Sequence, residues 1–272
     1  MPFPLESLPY GLRRRLRELA TPYEVNMFQT AAPNYSYLQP IQKGIYQRRF
    51  GVELTIDEHS NFLAREFWQI LPISGFLRYR ICRYTVISNY KPIHISKYNL
   101  EHFSLAPRCI NFYRCTIDPA FIQYFVDHLE RRIRMLALCE TSITSRDVIK
   151  VICAANVFKS LTYIRISDCD ISMATWIGGA LKTPRIKTLK QIEFFGAQPT
   201  VFDIKRHKFL KYFRAQRKGF NIHITIDSHI NEVSDEISAL FDKHFQRRQP
   251  RKHEKFVTVN FNTCFVLRKK YR

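Results

Sequence analysis

Glycine is scarce, eight residues in 272, and no GxxxxGKS/T or GxGxxG element occurs. A phosphate-cradling loop, whose backbone N–H groups must close around an anion, therefore has little to be built from. HExxH and GxSxG are also absent, which removes two common hydrolase frames. The seven cysteines, at 82, 109, 115, 139, 153, 169 and 264, never form a CxxC pair. Odd in number and scattered, they read as reduced thiols of an intracellular protein, cytoplasmic or nuclear. No window approaches eighteen consecutive apolar residues, and the first residues, MPFPLESLPYGLRRRLREL, lack the apolar core and cleavage site of a signal peptide. Neither a membrane span nor secretion is expected. The chain reads as non-enzymatic, without cofactor, metal or catalytic residues.

What is present is a repeat. Leu161, Ile164, Ile166, Cys169 and Ile171 fit the leucine-rich-repeat frame L-x-x-L-x-L-x-x-N/C-x-L at every specified position. A step of 28 back gives Ile133, Leu136, Leu138, Thr141 and Ile143; 26 more give Pro107, Ile110, Phe112, Cys115 and Ile117; a further 26 give the weaker Ile81, Tyr84, Val86 and Asn89. Forward by 28 come Leu189, Ile192, Phe194 and Ala197, and by 30 more Ile222 and Ile224. Every residue of the two central columns is apolar or aromatic, as expected where alternate residues of a short strand point into a core. The Cys, Thr or Asn that follows is placed to satisfy backbone left unpaired where the chain leaves the sheet.

Between these strands lie apolar stripes of helical spacing: Phe121, Ile122, Phe125, Val126 and Leu129; Val148, Ile149, Ile152 and Val157; Phe209, Leu210 and Phe213; Ile230, Val233, Ile237, Leu240 and Phe241. A strand is expected at Phe256–Phe261. The expected fold class is α/β: a degenerate, right-handed leucine-rich-repeat-like solenoid of parallel strands plus helices over 81–272. It is preceded by a small helical module at 1–40 and a connecting α/β segment at 41–80, in which Gly51–Ile56 reads as a strand and Asn61–Ile70 as a helix. An ordinary α/β domain with strands and crossover helices of similar lengths satisfies the same pattern.

At the N-terminus, Leu12, Leu16 and Leu19 form a helical face, and Thr21-Pro22-Tyr23-Glu24 reads as a capped start of a second helix carrying Val25 and Phe28. Phe3, Leu5, Leu8, Pro9, Leu12, Leu16, Leu19, Pro22, Glu24, Val25 and Phe28 together resemble an F-box, in the spelling of divergent nematode-type F-box proteins. The downstream repeat is similar to the leucine-rich or F-box-associated region that such proteins carry. The resemblance implies a substrate-recognition adaptor for protein ubiquitination, in which Phe3, Leu5, Leu8, Pro9, Leu12, Leu16, Leu19, Pro22, Val25 and Phe28 dock to the linker subunit of a cullin-type (SCF) ubiquitin ligase. The same residues also suit an N-terminal cap that seals the apolar end of a solenoid.

An adaptor needs a surface for its protein substrate. Outward strand positions are expected to supply it: Tyr113, Glu140, Tyr163, Arg165, Gln191, Glu193, Phe195 and His223 on one concave sheet. Asp168-Cys169-Asp170 reads as a turn, and His223, Asp227 and His229 as surface or turn residues.

The charge supplies the competing reading. Residues 201–272 hold 17 Lys/Arg against 7 Asp/Glu, which is half of the net charge of +20. Lys205, Arg206, Lys208, Lys211, Arg214, Arg217 and Lys218 crowd one helix-like segment, and Arg247, Arg248, Arg251 and Lys252 follow. Such a patch suits nucleic acid, without sequence readout, or an acidic protein partner. Loss of ligase docking would leave a third possibility, an interaction scaffold.

Overall fold

The computed structural model describes residues 9–20, 28–29, 45–73, 77–98, 100–182, 186–226, 234–242, 245–247, 253–261 and 266–271. It is an α/β fold built on one large, mostly parallel mixed sheet with helices beside it. Helix α1 is Tyr10–Leu19. The strands are β1 (Ile45–Ile56), β2 (Phe62–Glu66), β3 (Gln69–Ile70), β4 (Leu77–Ser88), β5 (Phe103–Leu105), β6 (Cys109–Tyr113), β7 (Thr116–Ile117), β8 (Met135–Cys139), β9 (Ser142–Ile143), β10 (Tyr163–Ser167), β11 (Gln191–Ala197), β12 (Asn221–Ile226), β13 (Phe245–Arg247), β14 (Phe256–Phe261) and β15 (Val266–Tyr271). Between them lie α2 (Pro119–Asp127), α3 (Asp147–Ala154), α4 (Met173–Ala180), α5 (Arg206–Ala215) and α6 (Ser234–Phe241).

Strands β1, β4, β6, β8, β10, β11, β12 and β14 lie side by side, parallel and in chain order. The register aligns Ile110, Leu136, Ile164, Ile192, Ile222 and Val257 in one column, and Phe112, Leu138, Ile166, Phe194, Ile224 and Val259 in another. All twelve are buried, in one core with Phe121, Phe125, Ile149, Ile152, Trp176, Phe209 and Phe213 of the helices. Each such side chain contributes about 1.5–3 kcal/mol relative to an exposed one. Helices α2, α3, α4 and α5 pack neighbour to neighbour in the same order as the strands.

The turns explain why this arrangement repeats. After β6, β8 and β10 one residue takes a left-handed conformation, Arg114 (φ 53°), Glu140 (φ 48°) and Asp168 (φ 52°), and near the end of β11 Gly196 does so (φ 61°). The backbone N–H groups of Arg114, Glu140 and Asp168 donate across to the carbonyls of Cys139, Ser167 and Phe195 on the next strand, at 2.9–3.0 Å. The following residue faces inward and serves the backbone with its side chain. Cys115 Sγ donates to the carbonyls of Ile87 and Tyr113, Thr141 Oγ1 to those of Phe112 and Cys139, and Cys169 Sγ to those of Leu138 and Ser167. In return Thr141 Oγ1 accepts from Cys115 N and Cys169 Sγ accepts from Thr141 N. Burial pushes both thiols up to about 12, so they act as neutral donors. At the next turn Ala197 has no such group, and the β11–β12 register shifts there.

Thr141 is the one member of this ladder that can be tested without altering a thiol. Thr141→Val keeps the shape and deletes the oxygen, leaving the Cys115 N–H without its acceptor. A loss of about 1–3 kcal/mol in urea unfolding is expected, with Thr141→Ser close to wild type. Equal stability of Val and wild type would show that the hydroxyl contributes only packing.

Several expectations are corrected. The first repeat is displaced by one residue: Thr85 and Ile87, not Tyr84 and Val86, pair with Ile110 and Phe112. Because side chains alternate, that slip turns Tyr84 outward, 42% exposed, while Thr85 and Ile87 are fully buried. Residues 61–70 form the β2–β3 hairpin instead of a helix. Asp57 selects it by accepting from the backbone N–H groups of His59 and Asn61, which folds the chain back after β1. The boundary expected at residue 80 falls inside β4, which pairs along its length with β1, so β1, β2 and β3 belong to the same sheet as the strands that follow. Helix α4 was not anticipated; Ser172 caps it by accepting from Thr175 N. Of the expected stripes, Phe121, Ile122 and Phe125 of α2, Val148, Ile149 and Ile152 of α3, and Phe209, Leu210 and Phe213 of α5 are buried; Val126 is half-buried, Leu129 and Val157 lie beyond the ends of their helices, and Ile230 and Val233 lie outside the described residues.

Candidate functional site

The sheet has two faces with different fates. Inward columns are covered by the helix layer, whereas the outward ones across β6, β8, β10, β11 and β12 stay part-exposed except at the small residues Ala137 and Ser167. In register, Tyr163 lies beside Gln191, Arg165 beside Glu193 and Glu193 beside His223, while Tyr113, Cys139, Ser167 and Phe195 make a third column. Seven of the eight expected surface residues thus share this face.

Glu140 does not. It is the left-handed residue after β8, and its carboxylate receives Arg114 Nε at 2.8 Å. That hydrogen bond holds Glu140 below the usual carboxylate range. Asp168 belongs to a turn, as its sequence context predicts, so of Glu140 and Glu193, the two acidic residues expected on the sheet face, Glu193 alone faces outward.

The centre of the face is an interlocked group. The Tyr163 hydroxyl donates to Glu193 Oε2, Arg165 Nε lies 3.9 Å from the same oxygen, and the Arg165 guanidinium sits 5.0 Å above the Phe195 ring. Burial, reinforced by the Glu193 hydrogen bond, pushes the Tyr163 hydroxyl pKa up, so it remains a donor at neutral pH. His223 packs edge-on against Phe256 at 5.8 Å, and Arg114 lies 4.9 Å over the Tyr113 ring. Asn111, Asn221 and Asn260 each hold a side-chain oxygen with little solvent access and no protein donor. These asparagines, with Phe256 and Cys139, were missed by the sequence reading, although the two-residue alternation that gave Arg165 and Glu193 reaches them once the register is known. The chemistry on offer is hydrogen bonding and stacking. Among the described residues no group of three or more His, Cys, Asp or Glu is placed to hold a metal.

The structure describes only some of the N-terminal residues. Phe3, Leu5, Leu8, Pro22 and Val25 lie outside the described residues. Pro9 precedes α1 and is exposed; Leu12 and Leu19 project from that helix into solvent, Leu16 is half-buried, and Phe28 belongs to a separate helical fragment. A second apolar group was hidden by the misread hairpin. Phe67 and Trp68 occupy its turn and are almost wholly exposed, with Phe50 and Ile70 exposed as well.

The basic patch is helix α5. Lys205, Arg206, Lys208, Lys211, Arg214, Arg217 and Lys218 are all exposed, while Phe209, Leu210, Tyr212 and Phe213 bury the opposite side. Of the remaining basic positions, Arg247 is described by its backbone in β13, and Arg248, Arg251 and Lys252 lie outside the described residues. No helix among the described residues is long and apolar enough to cross a membrane. Comparison with known proteins gives no family model, no curated protein and no solved structure that matches this chain.

Proposed function

We propose that this protein is a substrate-recognition adaptor that links a protein target to a cullin-type (SCF) ubiquitin ligase, its strands and helices forming a degenerate leucine-rich-repeat-like solenoid. The observation that carries the reading is the outward sheet face: a run of parallel strands in chain order, one side sealed by helices and the other presenting Tyr113, Tyr163, Arg165, Glu193, Phe195 and His223. Broad surfaces of mixed polar and aromatic side chains suit a protein partner, since Tyr and Arg anchors contribute most where water is excluded. The repeat steps and the Cys/Thr turn ladder support the solenoid. The exposed Leu12 and Leu19 of α1 support the F-box-like module, because a leucine stripe left in solvent is a docking surface in want of a partner.

Two variants separate the two ends of such an adaptor. Leu8→Ala/Pro9→Ala is expected to lose co-purification of the ligase linker subunit while its circular dichroism is unchanged. Arg165→Glu is expected to retain the linker and lose the target. Absence of the linker from the wild-type sample as well would leave the N-terminal residues as a cap, and an unchanged target interaction in Arg165→Glu would remove the sheet face from recognition.

A second reading is favoured by α5, which carries exposed Arg206, Lys208, Lys211 and Arg214 and no acidic residue, with exposed Lys205, Arg217 and Lys218 beside it. Nucleic acid or an acidic protein partner would bind there, without sequence readout. An interaction scaffold without ligase docking would use the sheet face alone.

A further inference from the structure

The strand starts carry a charge pattern that repeats with the fold. Arg131, Lys159, Lys187 and Arg217 follow one another at steps of 28, 28 and 30 residues, the steps of the repeat, and each lies just before a strand. Arg108, Arg134 and Lys190 stand immediately before β6, β8 and β11, and Arg83 of β4 lies level with them. The backbone joins them into a row: Arg108 N donates to Arg83 O, Arg134 N to Arg108 O, Thr162 N to Arg134 O and Lys190 N to Thr162 O, at 2.8–3.0 Å. Neighbours in the row are therefore one strand spacing apart, about 4.8 Å, and the four intervals from Arg83 to Lys190 cover about 19 Å. Every cation in the pattern is exposed.

Little opposes the charge along this edge. In segments 130–134, 159–162, 187–190 and 217–220 the one acidic residue is Glu130, which lies 3.8 Å from Arg80. Among the described residues no carboxylate pairs with Arg83, Arg108, Arg134 or Lys190. The turns at the far ends of the same strands carry Glu140, Asp168 and Asp170 instead. Cations held in a row repel one another, a cost that a merely solubilising surface avoids by mixing signs and that a linear polyanion removes. The row also begins beside open aromatic rings. Arg83 and Arg108 lie near enough to the Cys109 thiol to counter the upward push of its burial, and Cys109 is the register partner of Tyr84. Tyr84 is 42% exposed, and Phe50, 66% exposed, precedes Gly51, the partner of Tyr84 on β1. Arginine forks match phosphate oxygens, and an exposed ring stacks on an unpaired base. A carboxylate polymer gains nothing from the rings, and a duplex hides its bases. We propose that this edge binds single-stranded nucleic acid without sequence readout, with phosphates along Arg83, Arg108, Arg134 and Lys190 and a base on Tyr84. The surface is separate from the outward sheet face and from Lys208 and Lys211 of α5, so it depends on neither reading given above.

The probe is a labelled oligothymidylate of about twelve nucleotides, within the usual site sizes. Its anisotropy is followed at about 50 mM salt, with a duplex of the same length, inorganic polyphosphate and polyglutamate as competitors. The single strand is expected to bind about tenfold tighter than any competitor, the ordinary worth of one stacked base. Arg108→Gln/Arg134→Gln/Lys190→Gln, all changes at exposed residues, should weaken it by about tenfold or more and flatten its salt dependence by about two, at roughly 0.7 per phosphate contact. Tyr84→Ala should weaken the single strand by about tenfold and leave polyphosphate unchanged, with Tyr84→Phe close to wild type. Lys208→Glu/Lys211→Glu should keep the preference for the single strand over the duplex, and loss of that preference would move the site to α5. Binding of duplex, polyphosphate or polyglutamate as tight as that of oligothymidylate would overturn the proposal. So would an unchanged salt dependence in the triple variant, shown to be folded by circular dichroism, or an equal effect of Tyr84→Ala on the single strand and on polyphosphate.

Discussion

Phe121→Ala is expected to destabilise the protein by about 3–5 kcal/mol, the range for deleting a fully buried phenylalanine. Phe121, on α2, has no solvent exposure. Its ring stacks on Tyr90 at 3.5 Å between centroids, meets Tyr98 edge-on at 5.3 Å, and reaches Phe112 and Phe125 within 6.3 Å. Tyr98 in turn donates its hydroxyl to the Leu54 carbonyl of β1 and accepts Tyr124 of α2 at its own carbonyl. Removing the ring therefore loosens α2 from β6 and from the β1 end together, and aromatic pairs of this kind add about 0.5–1.5 kcal/mol each beyond area burial. The measurement is the urea midpoint at constant slope. Phe195→Ala is the control: on the outward face and 39% exposed, it should shift stability by much less, about 1 kcal/mol or under. Comparable losses for the two would mean that the outward face is packed as tightly as the core, and the surface proposed for the target would disappear with it.

The second large effect is in salt. If α5 meets nucleic acid through phosphates alone, each neutralised phosphate releases condensed counterions, and engagement of about six or more loses roughly 10³-fold or more in affinity between 50 and 200 mM salt. With seven exposed basic residues on and beside the helix, a slope of that order is expected for any DNA or RNA sequence. At 150 mM salt the dissociation constant should lie at about 10⁻⁴ to 10⁻⁶ M, the ordinary non-specific range. Lys208→Glu/Lys211→Glu should flatten the salt dependence by about two, one for each lost phosphate contact. Nanomolar affinity for one sequence at 150 mM salt, lost in the double variant, would replace the adaptor reading with nucleic-acid recognition.

Both results bear on where the sheet's neighbours are. The outward face has Glu193 at its centre, held by Tyr163 and close to Arg165, and that carboxylate opposes a polyphosphate. The exposed surface of α5 has no such opposition. The proposal of a protein target on the one and non-specific anion binding on the other rests on this distribution of charge.

The sequence by itself determined the periodicity. Steps of 26–30 residues between apolar pairs require short strands at a fixed interval, and the columns through Ile110, Leu136, Ile164, Ile192 and Ile222 pair as that interval demands, because a residue type that is apolar at every second position can settle only with that side inward. It also determined the chemistry of the turns: a small side chain with one donor, Cys115, Thr141 or Cys169, is what two unpaired carbonyls need. The amphipathic stripes of α2, α3 and α5 were legible for the same reason, as was the crowding of positive charge on one helix. What only the tertiary structure decided is register at the edges and the ownership of exposed groups. Tyr84 and Thr85 are both plausible strand residues, and pairing with β6 chose between them. Glu140 continues an apolar strand in the sequence, yet the chain turns left-handed there and carries it off the sheet. The Asn61–Ile70 segment has helical residue preferences, but Asp57 folds it onto β1 as a hairpin and leaves Phe67 and Trp68 in solvent. The row of cations at the strand starts could not be read from the total charge, since Arg83, Arg108, Arg134 and Lys190 belong to four different strands and only strand pairing sets them along one edge.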